Sequence, residues 1–410
     1  MKRKPAATRA SDARGAVRLG AEGVIAVADL AEALHRRIVR PLSPRPTRNE
    51  VQRTHGITGL VYRSVRGITR VVGDGADRLL AAMAERWPAQ PAGRSSEREA
   101  LVAALNGVLG DHLHASANPL AVTMALRSAG RALRLQPASL AAVLRHPGDR
   151  LAVFVHGLCM NDLQWRHEGH DHGAALARDL GVTPVYLHYN SGRAIADNGL
   201  AFALKMQALV AAWPLPLREL SIVGHSMGGL VARSAIEQAR RAGQPWASRL
   251  DRLVFLGTPH HGAPLERGGH WIDLLLETNA YSAPFARLAR LRSAGITDLR
   301  HGTLLPPPAG EPARDRFADA PEREPLPLPA GVACHALAGT LRGDLRSRLL
   351  GDGLVPLDSA LGRHDDPRQA LAFDADRQWI GAELGHLQML GDPRAYRRLR
   401  QWFAAPLRRG

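Results

Sequence analysis

The sequence predicts an α/β protein: a mostly parallel, doubly wound sheet with helices on both faces, preceded by an N-terminal helical region. Three observations predict it. Short continuous apolar runs recur from Leu151 onward, helical patterns separate several of them, and one run ends in a Gly-x-Ser-x-Gly turn that opens a helix. Strands buried on both faces read as unbroken apolar runs, and their alternation with helices is the pattern of a parallel sheet.

The runs are Leu151–Val155, Val185–His188, Leu220–Val223, Leu253–Leu256 and Val332–Leu337, with a final strand at Trp379–Leu384. Helical patterns fill Leu176–Leu180, Leu200–Trp213 and Leu230–Ala242, and a closing helix covers Arg394–Phe403. The chain divides near residue 148. Residues 1–148 read as helix and linker, and 149–410 as the α/β domain, with an insertion over about 262–330. Inside that insertion, the eight prolines between Leu305 and Pro329 predict a surface excursion with little regular structure.

Upstream, Pro41, Pro44 and Pro46 mark one linker, and Pro88 and Pro91 another. Between them Ile57, Val61, Val65, Ile68 and Val72 share one helical face, with Arg63, Arg66 and Arg70 largely off it. A basic amphipathic helix of this kind suits peripheral contact with a membrane surface, and equally suits packing on the α/β domain. Both readings stay open.

Composition sets outer bounds. Hydrophobic residues at 45% and charged residues at 22% are an ordinary globular balance. Fifty-four basic against 38 acidic residues give +16, but the arginines are scattered rather than clustered. Such a field attracts anionic surfaces. No nucleic-acid-reading motif or aromatic platform accompanies it, so nucleic acid is not an expected partner. Cys159 and Cys334 are the only cysteines, too few for a disulfide framework. Lys2, Arg3 and Lys4 imitate the start of a signal peptide, but Asp12, Arg14 and Arg18 interrupt the stretch where its apolar core would lie. No apolar run is long enough to cross a bilayer. A cytoplasmic or peripheral membrane location is expected.

The chemistry centres on Gly224-His225-Ser226-Met227-Gly228, with a strand before it and a helix after it. That setting makes Ser226 a nucleophile held on a tight strand-to-helix turn, where glycines leave room and the hydroxyl projects outward. The helix N-terminus behind it offers backbone N–H groups to a developing negative charge. A second donor belongs on the loop after the first strong strand, His156-Gly157-Leu158; the amides of Met227 and Leu158 are the expected oxyanion hole. His156 reads as a brace for that loop and, with His225, as part of the wall around the substrate. Cys159 reads as packing.

A serine hydroxyl needs a base to take its proton and an acid to orient that base. Behind an elbow of this kind, acid and histidine follow the serine in that order. Among Asp344, Asp352, Asp358, Asp365 and Asp366, the glycines flanking Asp352 let its carboxylate turn inward. Beyond it stand only His364, in a polar stretch, and His386, after the final strand. His386 is the expected base. Adjacent His260 and His261 lack further ligands at metal spacing, so no metal is expected there.

With these segments in view, the chain resembles bacterial lipases and the related GPI inositol-deacylase-like branch of the α/β-hydrolases. The match lies in Val155-His156-Gly157-Leu158, Gly224–Gly228, Leu256-Gly257-Thr258-Pro259-His260-His261-Gly262 and Gly351-Asp352-Gly353-Leu354-Val355-Pro356. Tyr189-Asn190-Ser191-Gly192-Arg193 is similar to a stretch in uncharacterised bacterial members. The resemblance implies a Ser226–Asp352–His386 triad, no organic cofactor and an ester substrate of lipid type. It reaches from Leu151 to the C-terminus and leaves residues 1–148 uncovered. Many secreted relatives carry His-Leu-Asp and bind calcium there; His386-Leu387-Gln388 departs from this, so the calcium site is not carried over. The insertion is then placed as a lid, with Trp271 among its apolar substrate contacts. Two alternatives share the scaffold: an acyltransferase using the same triad, and a non-catalytic membrane-associated protein of hydrolase fold.

Overall fold

The computed structural model describes residues 12–25, 67, 69, 74, 96–144, 147–262, 293–306, 324–341 and 351–407. Two compact units divide the chain: residues 1–94 with 115–121, and residues 95–114 with 122–410. In the smaller unit residues 12–25 are helical. There Asn118 Nδ2 donates to the Gly15 carbonyl at 3.1 Å and Asn118 Oδ1 accepts from the Leu120 amide at 3.0 Å. The stripe residues Ile57, Val61, Val65, Ile68 and Val72, and Trp271, lie outside the described residues.

The larger unit is organised by one eight-stranded sheet. Its strands are β1 (Ala125–Ser128), β2 (Arg131–Ala132), β3 (Arg150–Val155), β6 (Thr183–His188), β7 (Glu219–His225), β8 (Arg252–Leu256), β9 (Ala333–Thr340) and β10 (Gln378–Ala382); β4 (Arg166–His167) and β5 (His170–Asp171) form a separate ribbon. Across the sheet the order is β10-β9-β8-β7-β3-β6-β1-β2. Every pair from β10 to β6 is parallel, and β6–β1 and β1–β2 are antiparallel. The expected mostly parallel sheet is present. Strand order reverses at β3, whose successor β6 lies to one side while β7 to β10 extend to the other. In open sheets of this type the cleft forms beyond the carboxyl ends of the strands at such a switch.

Burial explains why these segments are strands. All seven residues of β7, all five of β8 and five of six in β3 are buried, as a sheet covered on both faces requires. The described α-helices of this unit are α1 (Ser96–Ala115), α2 (Pro137–Leu144), α3 (His172–Leu180), α4 (Ile195–Ala211), α5 (Met227–Arg241), α6 (Pro245–Ser248), α7 (Ala294–His301), α8 (Leu357–Ala360) and α9 (Pro393–Ala404). Against one face of the sheet, Phe154 meets Trp165 edge-on at 5.1 Å and stacks on Tyr186 at 5.2 Å, in one core cluster with Leu399, Trp402 and Phe403 of α9. None of the described helices is long and apolar enough to cross a membrane.

The sheet takes in β1 and β2, and its unit takes in most of α1, all upstream of the boundary expected near residue 148. The hairpin turns through Ala129 (φ 48°) and Gly130 (φ 73°), two successive positive φ values that match the twist of a tight hairpin. Residues 324–329 have no regular structure, whereas Ala294–His301 of the insertion is helical.

At the end of the sheet opposite the cleft, the Glu219 carboxylate accepts from Arg150 Nε at 2.8 Å, from Ser221 Oγ at 3.1 Å and from the buried Arg252 guanidinium. Arg252 also lies 4.8 Å over the Phe403 ring, and desolvation lowers its pKa to about 10. Removing one member of a buried ion pair strands the other charge. Glu219→Gln should therefore lower stability by about 3–5 kcal/mol, seen as a reduced urea midpoint at unchanged m-value.

Candidate functional site

Six loops leave the carboxyl ends of the parallel strands: His156–Cys159 after β3, Tyr189–Arg193 after β6, Ser226 after β7, Gly257–His261 after β8, the loop holding Asp352 after β9, and the loop holding His386 after β10. Residues far apart in sequence converge because strand direction is shared.

Ser226 has φ 52° and ψ −127° and leads directly into α5. A side chain at such a positive φ is rare and persists only where its surroundings hold it. The surroundings here are very close: a Cβ on Gly228 would stand 2.1 Å from the Val155 carbonyl oxygen, and one on Gly224 2.6 Å from Gly229. The helix N-terminus is thereby pressed against the end of β3. The Ser226 amide donates to the Leu256 carbonyl at 2.8 Å, tying the turn to β8.

Asp352 and His386 meet. His386 Nδ1 and Asp352 Oδ2 are 2.7 Å apart, both side chains are buried, and the His386 amide donates to the Asp352 carbonyl at 3.0 Å. The other carboxylate oxygen accepts from the amides of Leu354 at 3.0 Å and Val355 at 2.8 Å. Three acceptor contacts fix the carboxylate. Gly351 (φ 54°) permits the bend, because a Cβ there would fall 1.8 Å from the Val355 carbonyl oxygen. With Nδ1 engaged, Nε2 is the remaining ring atom; His386 Nε2 and Ser226 Oγ are both buried without a hydrogen-bond partner, and no hydrogen bond joins them. The His225 ring lies 4.7 Å from that of His386, and its Nε2 donates to the His386 carbonyl at 3.1 Å, so the base loop is fastened beside the elbow.

Leu158 and Met227 are buried, one beyond β3 and one in the first turn of α5. The two loops touch: a Cβ on Gly157 would stand 3.0 Å from Ser226 Cβ and 3.3 Å from His225 Nδ1. His156 and His225, expected around the substrate, are fully buried, and one nitrogen of each ring, His156 Nε2 and His225 Nδ1, has no hydrogen-bond partner. His156 Nδ1 lies 2.9 Å from the Gly157 carbonyl, and its ring stacks on Tyr189 at 4.3 Å. Cys159 is buried and its thiol is pushed up to about 12, so it stays protonated. His364 is exposed, as its polar setting predicts, whereas His260 is buried against Phe255 and Phe373. Sequence reasoning assigned no role to Asn190, Ser191 and Asn198; the single signal was the Tyr189–Arg193 motif, which does not reveal its contacts.

The described fold is a mostly parallel eight-stranded sheet with Ser226 at the strand-to-helix turn after β7. Residues 137–299 match the model of a domain of unknown function, DUF7379. No curated protein matches the sequence. Among solved structures, the chain is similar to a Bacillus licheniformis lipase, BlEst2 in mature form, at 20% identity and TM-score 0.36 over 60% of this chain and 89% of that one. It is also similar to the Pyrococcus furiosus esterase Pf2001, at 10% identity and TM-score 0.36 over 62% of this chain and 80% of that one. A third is RedJ, a thioesterase from the prodiginine biosynthetic pathway in Streptomyces coelicolor, at 15% identity and TM-score 0.34 over 64% and 98%.

Burial holds several histidines neutral. Desolvation lowers His156 to about 3 and His172 to about 4, and takes His225 and His260 well below the usual range. Their folded pKa values lie below the unfolded value near 6.5, so the unfolded chain binds more protons in acid. Stability should be complete above about pH 6.5 and fall as pH drops toward 4, with a slope exceeding one proton. Urea titrations at pH 7 and pH 5 measure it; equal midpoints would contradict the neutral, buried assignment.

Proposed function

We propose that this chain is a serine carboxylic-ester hydrolase, acting on a lipid-like ester through an acyl-enzyme. The observation that carries the reading is the buried, carboxylate-anchored imidazole of His386 beside a strained elbow whose Ser226 hydroxyl, like His386 Nε2, has no other partner. Buried polar atoms without partners run against the general rule, and a catalytic role is one explanation for them. Here they are one donor and one acceptor of the kind acyl transfer needs.

In the proposed cycle His386 Nε2 takes the Ser226 proton as Oγ attacks the ester carbonyl. Asp352 accepts the Nδ1–H hydrogen bond throughout, which sets the tautomer and stabilises the imidazolium that forms. The amides of Leu158 and Met227 bind the tetrahedral oxyanion, the second with the favourable dipole of α5. His386 then protonates the departing alkoxide and the acyl-enzyme remains. Water, deprotonated by His386, attacks it, and the carboxylic acid leaves as Ser226 recovers its proton.

An exposed leucine beside the acid and base loops is compatible with an apolar acyl group. Leu341 is 45% exposed, and Cβ atoms on Gly353 and Gly385, which flank Asp352 and His386, would stand 3.1 and 3.7 Å from its methyl carbons. Ser226→Ala should reduce p-nitrophenyl ester turnover by about a million-fold, and Asp352→Asn by about 10,000-fold. Esters from acetyl to palmitoyl test the chain-length claim. Parental turnover in purified, folded Ser226→Ala would sink the assignment.

A further inference from the structure

We propose that the segment Tyr189–Gly192 after β6 aims the Leu158 amide, with Tyr189 and Ser191 as positioning residues for the oxyanion. The inference rests on the reading of Ser226 as the acylated nucleophile and deepens it by naming what holds the second oxyanion donor.

The two contacts bracket that donor. Tyr189 O–H donates to the His156 carbonyl at 2.8 Å while its ring stacks on the His156 imidazole, the planes 22° apart. On the far side, Ser191 Oγ accepts from the Cys159 amide at 3.0 Å. Gly157 and Leu158 lie between these anchors. Cys159 has φ 60°, a left-handed conformation that a non-glycine residue keeps only under external constraint. The Ser191 hydroxyl supplies one constraint. The other is α1, where Cys159 Sγ nests so closely that a Cβ on Gly107 would fall 2.2 Å from it.

The bracing segment is itself rigidly held. Asn190 Nδ2 donates to the Gly110 carbonyl at 2.8 Å, Asn190 Oδ1 accepts from the Gly192 amide at 3.1 Å, and Asn198 Nδ2 donates to the Asn190 carbonyl at 2.9 Å. A Cβ on Gly192 would stand 2.1 Å from the Asn106 carbonyl oxygen. Tyr189, Asn190, Ser191 and Asn198 are all at most 2% exposed. A polar loop buried this thoroughly spends its donors and acceptors on geometry. Burial also pushes the Tyr189 phenol well up, so it remains a donor across the working pH range. Such rigidity serves catalysis because an oxyanion donor is effective when already aimed at the position where charge develops.

The test uses the full chain carrying Tyr189→Phe and, separately, Ser191→Ala. Tyr189→Phe keeps the ring stack and removes one hydroxyl, so it remains informative if Ser191→Ala fails to fold. Readouts are p-nitrophenyl butyrate kinetics and inhibition by a boronic acid that forms a tetrahedral serine adduct, with thermal melts to verify folding. A donor shifted by a fraction of an ångström should lower kcat by about 10- to 100-fold. KM should stay within about twofold and boronate affinity should weaken by the same factor as kcat, as expected for an interaction made in the transition state. The kcat/KM pH profile should keep its shape, since the Asp352–His386 pair is untouched; general loosening of the site would alter it. Parental kcat and boronate affinity in the folded variants, or a loss confined to KM, would overturn the inference. Parental turnover in Ser226→Ala run alongside would instead overturn the nucleophile reading beneath it.

Discussion

The contact between the N-terminus of α5 and the end of β3 is the constraint on which the cleft depends. Ser226 can occupy its positive-φ turn because Gly228 carries no side chain to collide with the Val155 carbonyl. That closeness brings the His156–Cys159 loop against the elbow, and parallel neighbours then deliver the Asp352 and His386 loops to the same edge. A larger side chain at position 228 would separate β3 from α5 and disperse the groups together, so backbone proximity comes first and side-chain chemistry second.

Much of this was legible in sequence for identifiable physical reasons. Strands β3, β6, β7, β8 and β9 carry apolar runs because a sheet covered on both faces tolerates little else. The elbow announced itself by glycines around a serine between a strand and a helix. Asp352 stood out among five acids by its flanking glycines, and the positive φ at Gly351 and Gly353 shows the bend they permit. His386 was separated from His364 by surroundings, and the two differ in burial as that reasoning implies.

What stayed hidden had no comparable signal. Helix α1 buries Leu105, Val108, Leu109 and Leu113 together with Ala103, Ala104, Asn106, Gly107 and Gly110, so small and polar residues go inside beside the apolar ones and blur the stripe in the sequence. The β1–β2 hairpin has six strand residues, two of them arginine, too few for alternation to show. Its place in the sheet follows from pairing with β6, a long-range contact that no local window contains. The even scatter of arginines likewise concealed that Arg252 is buried within the sheet, in contact with Glu219.

The same hairpin bears on how the molecule keeps to itself. A parallel sheet that ended at β6 would leave the outward-facing amides and carbonyls of that strand unsatisfied, a template on which another chain could add a strand. Instead the edge closes in antiparallel fashion and stops at Arg131–Ala132, an exposed, two-residue strand bearing a guanidinium. So short and charged a terminus offers little purchase for intermolecular pairing at this edge of the sheet.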